Sequence, residues 1–154
     1  MVAVRIVLDD LAGAPIAALL EEHLTEMRSI SPPESTHALD LDGLRAAGIT
    51  FWSVWDGDTL VGCGALKRLD DGHAELKSMR TTRTRQGGGV GSTLLTYIID
   101  QAQSMGFSRM SLETGAMPFF EPARRLYQRF GFTYCDPFGD YRPDPNSVFM
   151  TRAL

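Results

Sequence analysis

Residues 78–100, SMRTTRTRQGGGVGSTLLTYIID, place three consecutive glycines, and a fourth one residue later, directly before a predicted helix. Apolar residues at helical spacing from Val90 to Met105 indicate that helix, which Gly106 ends. Glycine tolerates positive φ and lets a ligand approach the backbone closely. The loop amides would join the unpaired first-turn amides of the helix in a cradle for an anion, of which phosphate is the natural example.

Two familiar phosphate loops fit this stretch poorly. A Walker loop is excluded because no lysine precedes Ser92. A dinucleotide fingerprint lacks its third glycine at the same position, although Glu113 stands where a ribose-binding acid would be expected. The loop also follows antiparallel strands and not the first strand of a doubly wound sheet. A nucleotide-cofactor oxidoreductase is therefore a distant alternative.

The charge near the loop differs from that of the whole chain. Residues 77–85 contain four cations and no acid, namely Lys77, Arg80, Arg83 and Arg85. The whole chain carries a net charge of −4. A local cationic patch on an acidic protein favours a small anionic ligand. The negative net charge of the whole chain argues against a general nucleic-acid binder. The alternative interpretation is an arginine-rich, solvated turn.

The chain of 154 residues predicts one domain, residues 1–154, with 44% hydrophobic residues. It has no apolar run near the roughly 18 residues that span a bilayer. The N-terminal residues lack the apolar block of a signal peptide, so we expect a cytoplasmic protein without membrane attachment. Cys63 and Cys135 lack metal-ligand spacing and are interpreted as small buried hydrophobes. No metal is expected.

The pattern of apolar and turn residues predicts the order β-α-α-β-β-β-α-β-α-β-β, a mixed α/β sheet. Hairpin turns at residues 56–58 and 70–72 separate three strands in the middle of the chain. The predicted strands cover residues 4–10, 50–55, 59–69, 73–81, 107–114, 132–135 and 147–154. The predicted helices cover residues 16–27, a short segment ending at Gly48, residues 90–105 and residues 119–130, the last carrying an apolar stripe that starts at Phe119 and Phe120.

Two motifs resemble the GNAT superfamily of acetyl-CoA-dependent N-acetyltransferases. Residues 86–91, QGGGVG, match its Q/R-x-x-G-x-G/A loop, and residues 123–132, ARRLYQRFGF, resemble its A-x-x-L-Y-x-x-x-G-F segment. The asparagine often found three residues before that alanine is Phe120 here. The resemblance implies a GNAT-like fold, in which helices flank both faces of a mostly antiparallel sheet that splays at the acetyl-CoA site.

The resemblance also implies a site for acetyl-CoA as co-substrate. Backbone groups of Met79 and Thr81 would pair with the pantetheine arm like an added strand. The basic patch would face the 3′-phosphate. The pyrophosphate would be held by Gln86, Gly87, Gly88, Gly89, Val90, Gly91 and Ser92.

Acyl transfer to an amine needs a base, an oxyanion donor and a proton for the leaving thiolate. Glu75 and Glu113 are the candidate bases, Glu75 before Glu113, and the alternative for each is a surface or salt-bridged glutamate. A bulge at Met79 would free its amide as the oxyanion donor. Tyr127 lies on a helical stripe typical of a core aromatic, and the family motif makes it a candidate acid for the thiolate.

The predicted function is therefore transfer of an acetyl group to a primary amine of a small molecule or peptide, by direct attack in a ternary complex. A non-catalytic acyl-CoA-binding sensor on the same fold is the alternative. Homodimerisation is compatible with the sequence, and no nucleic-acid partner is expected. Residues suggested for binding the acceptor are Glu34, His37, Asp136, Asp140, Arg142 and Asp144.

Overall fold

The computed structural model describes residues 3–37 and 39–154, and its elements follow the predicted order. Met1 and Val2, before the predicted first strand, and Ala38, in the proline-containing loop, lie outside the described residues. The strands are β1 (Arg5–Leu8), β2 (Ile49–Asp56), β3 (Thr59–Arg68), β4 (His73–Thr81), β5 (Arg109–Gly115), β6 (Thr133–Cys135) and β7 (Ser147–Ala153). The α-helices are α1 (Ala14–Ile30), α2 (Leu41–Leu44), α3 (Val90–Ser104) and α4 (Glu121–Arg129).

The strands form one sheet in the order β1-β2-β3-β4-β5-β7-β6. Neighbouring strands pair antiparallel, except that β4 and β5 run parallel. Adjacent residues of a strand face opposite sides of a sheet. On β3, Ala65 packs in the cluster that contains α1, whereas Leu66 packs in the cluster that contains α3. The prediction of a mixed, mostly antiparallel sheet with helices on both faces is confirmed.

The sheet opens between its two parallel strands. β4 and β5 pair only through three residues of each, His73 to Glu75 with Arg109 to Ser111, although both strands continue beyond that point. The backbone edge of residues 76–81 that faces β5 therefore has no partner strand. This is the splay that the family resemblance implies.

A bulge interrupts β4 beside the opening. Cys63 pairs with Arg80 and Ala65 pairs with Lys77, so Ser78 and Met79 together oppose one residue of β3. Ser78 accordingly has a φ of 54°, which is rare for a residue other than glycine. Bulges of this kind remove backbone groups from the regular ladder.

The fourth helix begins later than its apolar stripe suggests. Phe119 and Phe120 belong to a 3₁₀ turn, Pro118–Phe120, and the α-helix starts at Glu121. A proline at the start of each segment explains the break, because proline fits the first turn of a helix and lacks an amide to continue an earlier one. The prediction of Phe119 on a buried helical face is therefore wrong, and its side chain is 50% exposed.

Candidate active site

A cavity of about 570 Å³ runs along the opening between β4 and β5. Its walls come from α1, the proline-containing loop, β4, the glycine loop, the end of β5 and α4. The cavity thus passes through the sheet plane and touches elements on both faces. Predicted site residues that line it include Glu75, Met79, Thr81, Glu113 and Tyr127.

The glycine loop presents a row of unpaired amides at one end of the cavity. Gly87 and Gly89 have φ values of 80° and 90°, so the chain turns in a conformation that other residues adopt at a cost. The Gly88 amide donates to the Arg85 carbonyl at 3.2 Å. No described residue accepts from the amides of Gly87, Gly89, Val90, Gly91 or Ser92.

The position of these amides and the space beside them are compatible with a pyrophosphate. They lie at the N-terminus of α3, where the helix dipole favours a negative charge. A Cβ atom built on Gly87 would meet no atom within 4 Å, so space for a ligand remains beside the loop. The donor set and the open space therefore suit the diphosphate of coenzyme A.

Met79 and Thr81 lie on the same face of the sheet as this loop. A Cβ atom built on Gly91 would stand 3.8 Å from Met79 Cε and 3.9 Å from Thr81 Oγ1. The backbone of both residues belongs to the part of β4 that has no partner on the β5 side. The structure thus brings the predicted strand contacts and the predicted phosphate loop together.

The cationic patch before the loop is neutralised by carboxylates. Arg80 pairs with Glu22 at 2.8 Å and with Glu26 at 2.7 Å. Arg83 pairs with Glu26 at 2.6 Å, and Lys77 and Arg85 also have acidic partners. The local sequence count overstated the positive charge, because the acids come from distant segments of the chain.

Glu75 is held in a buried hydrogen-bond network on the face of the sheet opposite the glycine loop. Its Oε2 accepts from Lys77 Nζ at 3.2 Å and from the Tyr141 hydroxyl. Lys77 Nζ also donates to the Tyr141 hydroxyl at 2.9 Å, and the His37 ring packs edge-on against Tyr141 at 5.0 Å. Sequence reasoning missed Tyr141 at this site, because it lies 66 residues from Glu75 in the chain. Lys77 was predicted as part of the basic patch and not as a partner of Glu75, although the two residues are only two positions apart on β4.

Glu113 lines the same cavity, and its carboxyl is less firmly bound than that of Glu75. Burial raises the pKa of Glu113 from 4.5 to about 7, and the nearby Ser147 side chain and Lys77 ammonium lower it only in part. A carboxyl with this pKa takes up and releases protons near neutral pH, as a general base must.

Tyr127 comes from α4 and also lines the cavity. Burial raises the pKa of its hydroxyl to about 12, with a further contribution from the charge of Glu113. The hydroxyl therefore stays protonated and can act as a hydrogen-bond donor.

The other residues suggested for the acceptor divide into two groups. His37 lines the cavity, and burial lowers its pKa. Asp144 anchors the proline-containing loop by accepting from Ser35 Oγ at 2.6 Å. The residues that do not line the cavity are Glu34, Asp136, Asp140, Arg142 and Asp144.

Comparison with known proteins identifies the class to which this fold and site belong. A family model described as the acetyltransferase (GNAT) family matches residues 16–132. The Bacillus subtilis (strain 168) protein YsnE, named an uncharacterized N-acetyltransferase, is 56% identical over 97% of this chain and 99% of that protein. An IAA acetyltransferase of Azospirillum brasilense is 39% identical over 90% of each chain.

Solved structures show the same fold. A Klebsiella pneumoniae protein assigned as an acyl-CoA N-acyltransferase matches with a TM-score of 0.82 at 26% identity, over 98% of this chain and 97% of that one. A Bacillus subtilis acetyltransferase solved in complex with CoA matches with a TM-score of 0.69 at 18% identity, over 99% of each chain. The protein is thus an acetyl-CoA-dependent N-acetyltransferase. The chain belongs to the GNAT family.

Among the described residues, no helix has both the length and the apolar character needed to cross a membrane.

Proposed function

We propose that the protein, as a single domain of residues 1–154, acetylates a primary amine of a small molecule or peptide by direct attack in a ternary complex. One observation carries this proposal: Glu113 and Tyr127 line the same cavity as the unpaired amides of the glycine loop. A base, an acid and an anion cradle are the parts that amine acetylation from a coenzyme A thioester needs.

The co-substrate would enter from the α3 face. The loop amides would bind its pyrophosphate, and the free edge of residues 76–81 would pair with the pantetheine arm as an added strand. This arrangement directs the thioester towards the bulge at Ser78 and Met79. The Met79 amide would then donate to the oxyanion that forms when the amine attacks.

Of the two candidate bases, Glu113 suits the proton transfer better. A carboxylate with a pKa near 7 accepts a proton from the attacking nitrogen and returns it to solvent near neutral pH. Glu75 already accepts hydrogen bonds from Lys77 and Tyr141 on one oxygen, so its role is to hold these two side chains in place.

The amine nitrogen forms a bond to the thioester carbonyl carbon and loses a proton to Glu113. The bond from that carbon to sulfur breaks, and the thiolate leaves with its charge stabilised by the Tyr127 hydroxyl. Solvent completes the protonation of the thiolate, and the products are an acetylated amine and free CoA.

The test is an acceptor screen in which release of the CoA thiol from acetyl-CoA is followed with a panel of primary amines. We expect at least one amine to accelerate thiol release well above the hydrolysis rate. Binding of acetyl-CoA without acceleration by any amine would contradict the proposal and support the non-catalytic sensor instead.

A further inference from the structure

Three polar atoms of the cavity wall are buried without a hydrogen-bond partner among the described residues. They are His23 Nδ1, Ser78 Oγ and Arg80 Nε, and all three residues line the cavity. His23 and Arg80 are 9% and 6% exposed. Buried polar atoms in folded proteins nearly always have a partner, so unpaired ones beside a cavity indicate water or ligand. We call these three residues the polar corner.

Arg80 and His23 of the polar corner lie on the face of the sheet opposite the glycine loop, and Ser78 lies in the bulge at the opening of the sheet. Arg80 reaches Glu22 and Glu26 of α1, and His23 belongs to the same helix. Met79 and Thr81, by contrast, face α3 and the loop. A co-substrate held by the loop approaches from the α3 face, so the polar corner faces the side from which the acceptor enters.

The polar corner carries no net charge that would attract an ion. Arg80 Nη1 pairs with Glu26, and Arg80 Nη2 pairs with Glu22. Arg83 also pairs with both acids, so two guanidinium groups neutralise two carboxylates. Burial, together with the charge of Arg80, lowers the pKa of His23 to about 4, so its ring is neutral near pH 7. What remains is the Arg80 Nε–H donor, a hydroxyl and a neutral imidazole nitrogen.

We propose that the polar corner binds an uncharged carbonyl oxygen of the acceptor, so that the preferred acceptors carry an amide next to the reacting amine. This inference rests on the proposed function and names the substrate class within it. An amide oxygen would accept from Arg80 Nε–H and Ser78 Oγ–H, and the amide N–H would donate to the neutral His23 Nδ1, without bringing a charge beside Glu22 and Glu26. A carboxylate at the same place would lie near two acids and gain no net attraction.

The test compares three amines of similar size: L-alaninamide, L-alanine and isopropylamine. Ser78→Gly removes the hydroxyl and is compatible with the positive φ at this position. His23→Leu removes the imidazole nitrogen while keeping an apolar body. Ser104→Gly, at the exposed end of α3, is the matched control. Arg80 is left intact, because its removal would strand Glu22 and Glu26 without a partner.

We expect alaninamide to have the highest kcat/KM of the three amines when each value is expressed per concentration of the neutral amine. Ser78→Gly and His23→Leu should each lower kcat/KM for alaninamide about 5- to 10-fold more than they lower it for isopropylamine, the size of one lost hydrogen bond. Comparing each amine with itself across the variants cancels differences in amine basicity.

Four results would overturn the inference. An equal loss for alaninamide and isopropylamine would show a general effect on folding or chemistry. A rise in KM for acetyl-CoA alone would assign the polar corner to the amides of the pantetheine arm. A preference for alanine over alaninamide would show that the corner binds a charge. No turnover with any amine would contradict the proposed function itself and, with it, this inference.

Discussion

Two glutamates of one cavity differ in what surrounds each carboxylate. Glu75 shares one oxygen between a lysine and a tyrosine, and its side chain is 3% exposed. Glu113 is half-buried and its neighbours compensate less for the lost solvation, so its neutral form is favoured. Such different surroundings for two carboxyls of one cavity are typical of sites that divide the tasks of proton transfer and positioning.

At the residue scale we first predict the pH dependence of the reaction. Glu113 must be ionised to accept a proton, so kcat/KM, expressed per concentration of neutral amine, should rise with pH through about 7 and then level off. Glu113→Gln should lower kcat/KM by at least about 100-fold at pH 7, a typical size for a lost general base, and remove this rise. Glu121→Gln, on exposed α4, is the control. If the variant keeps the same rising limb, another group is the base.

Tyr127→Phe tests the fate of the leaving thiolate. The pKa of about 12 at Tyr127, against about 8.5 for an ordinary thiol, makes full proton transfer unfavourable by about 5 kcal/mol. The hydroxyl should therefore act by donating a hydrogen bond to the thiolate. Such a bond to a charged group is worth about 1.5–3 kcal/mol, so kcat should fall about 10- to 100-fold.

Binding of acetyl-CoA and the melting temperature should hardly change in this variant, since the ring and its packing remain. Tyr134→Phe, at a side chain that is 55% exposed, is the control. A Tyr127→Phe enzyme as active as its parent would reduce Tyr127 to a core aromatic, the alternative that its helical stripe suggests.

At the scale of elements, the loop before α3 predicts where acetyl-CoA binds. Gly89→Asp places a carboxylate beside the unpaired amides, where it competes with the pyrophosphate and repels it. Saturation at about 100 times the Kd stabilises a protein by roughly 2.7 kcal/mol, which a thermal shift assay detects readily. We expect Gly89→Asp to abolish the shift given by acetyl-CoA.

Gly106→Asp is the matched control for this experiment. Gly106 follows the other end of α3 and also has a φ of 90°, so both substitutions carry the same backbone strain. The control should unfold at a lower temperature and still respond to acetyl-CoA. A normal response from Gly89→Asp would mean that the phosphates bind elsewhere.

The sequence predicted the elements well because local signals define them. Hairpin turns, the glycines after two helices and apolar periodicity are all readable within a few residues, and the bounds of β4 agree residue for residue with the structure. The bulge beside Met79 was also anticipated, from the need to free an amide.

Contacts between distant segments could not be predicted in the same way. Arg80 is separated from Glu22 by 58 residues and Tyr141 from Glu75 by 66, so no window of sequence contains both partners. His23 lies on the apolar stripe of α1, which buries it. That position gave no indication that Nδ1 would face the cavity without a partner. Which polar side chains find a partner, and which do not, is decided only when the distant segments come together in the folded sheet.

At the scale of the whole molecule, the buried carboxyl of Glu113 should make stability depend on pH. Between pH 4.5 and about 7 the folded protein keeps a proton that the unfolded chain has released. Stability therefore falls as the pH rises through this window, and above it the full penalty is present. The two pKa values correspond to a penalty of about 3 kcal/mol.

Glu113→Gln should remove that penalty. We expect the variant to be more stable than its parent at pH 8, by up to about 3 kcal/mol in chemical denaturation, and equal to it near pH 4. The pKa of His23 is lowered, whereas that of Glu113 is raised. His23 is present in both proteins, so its effect on the free energy of unfolding cancels when the variant is compared with its parent. A variant that is no more stable at pH 8 would contradict a raised pKa at Glu113.

The opening between β4 and β5 has a consequence for amide hydrogen exchange. Amides on an unpaired strand edge trade their hydrogens with solvent, whereas amides in a ladder are protected. Deuterium uptake by residues 76–81 should therefore slow when acetyl-CoA binds, while uptake by the already paired β2 stays the same. If that happens, the co-substrate is a temporary strand, and each round of turnover completes the sheet and opens it again.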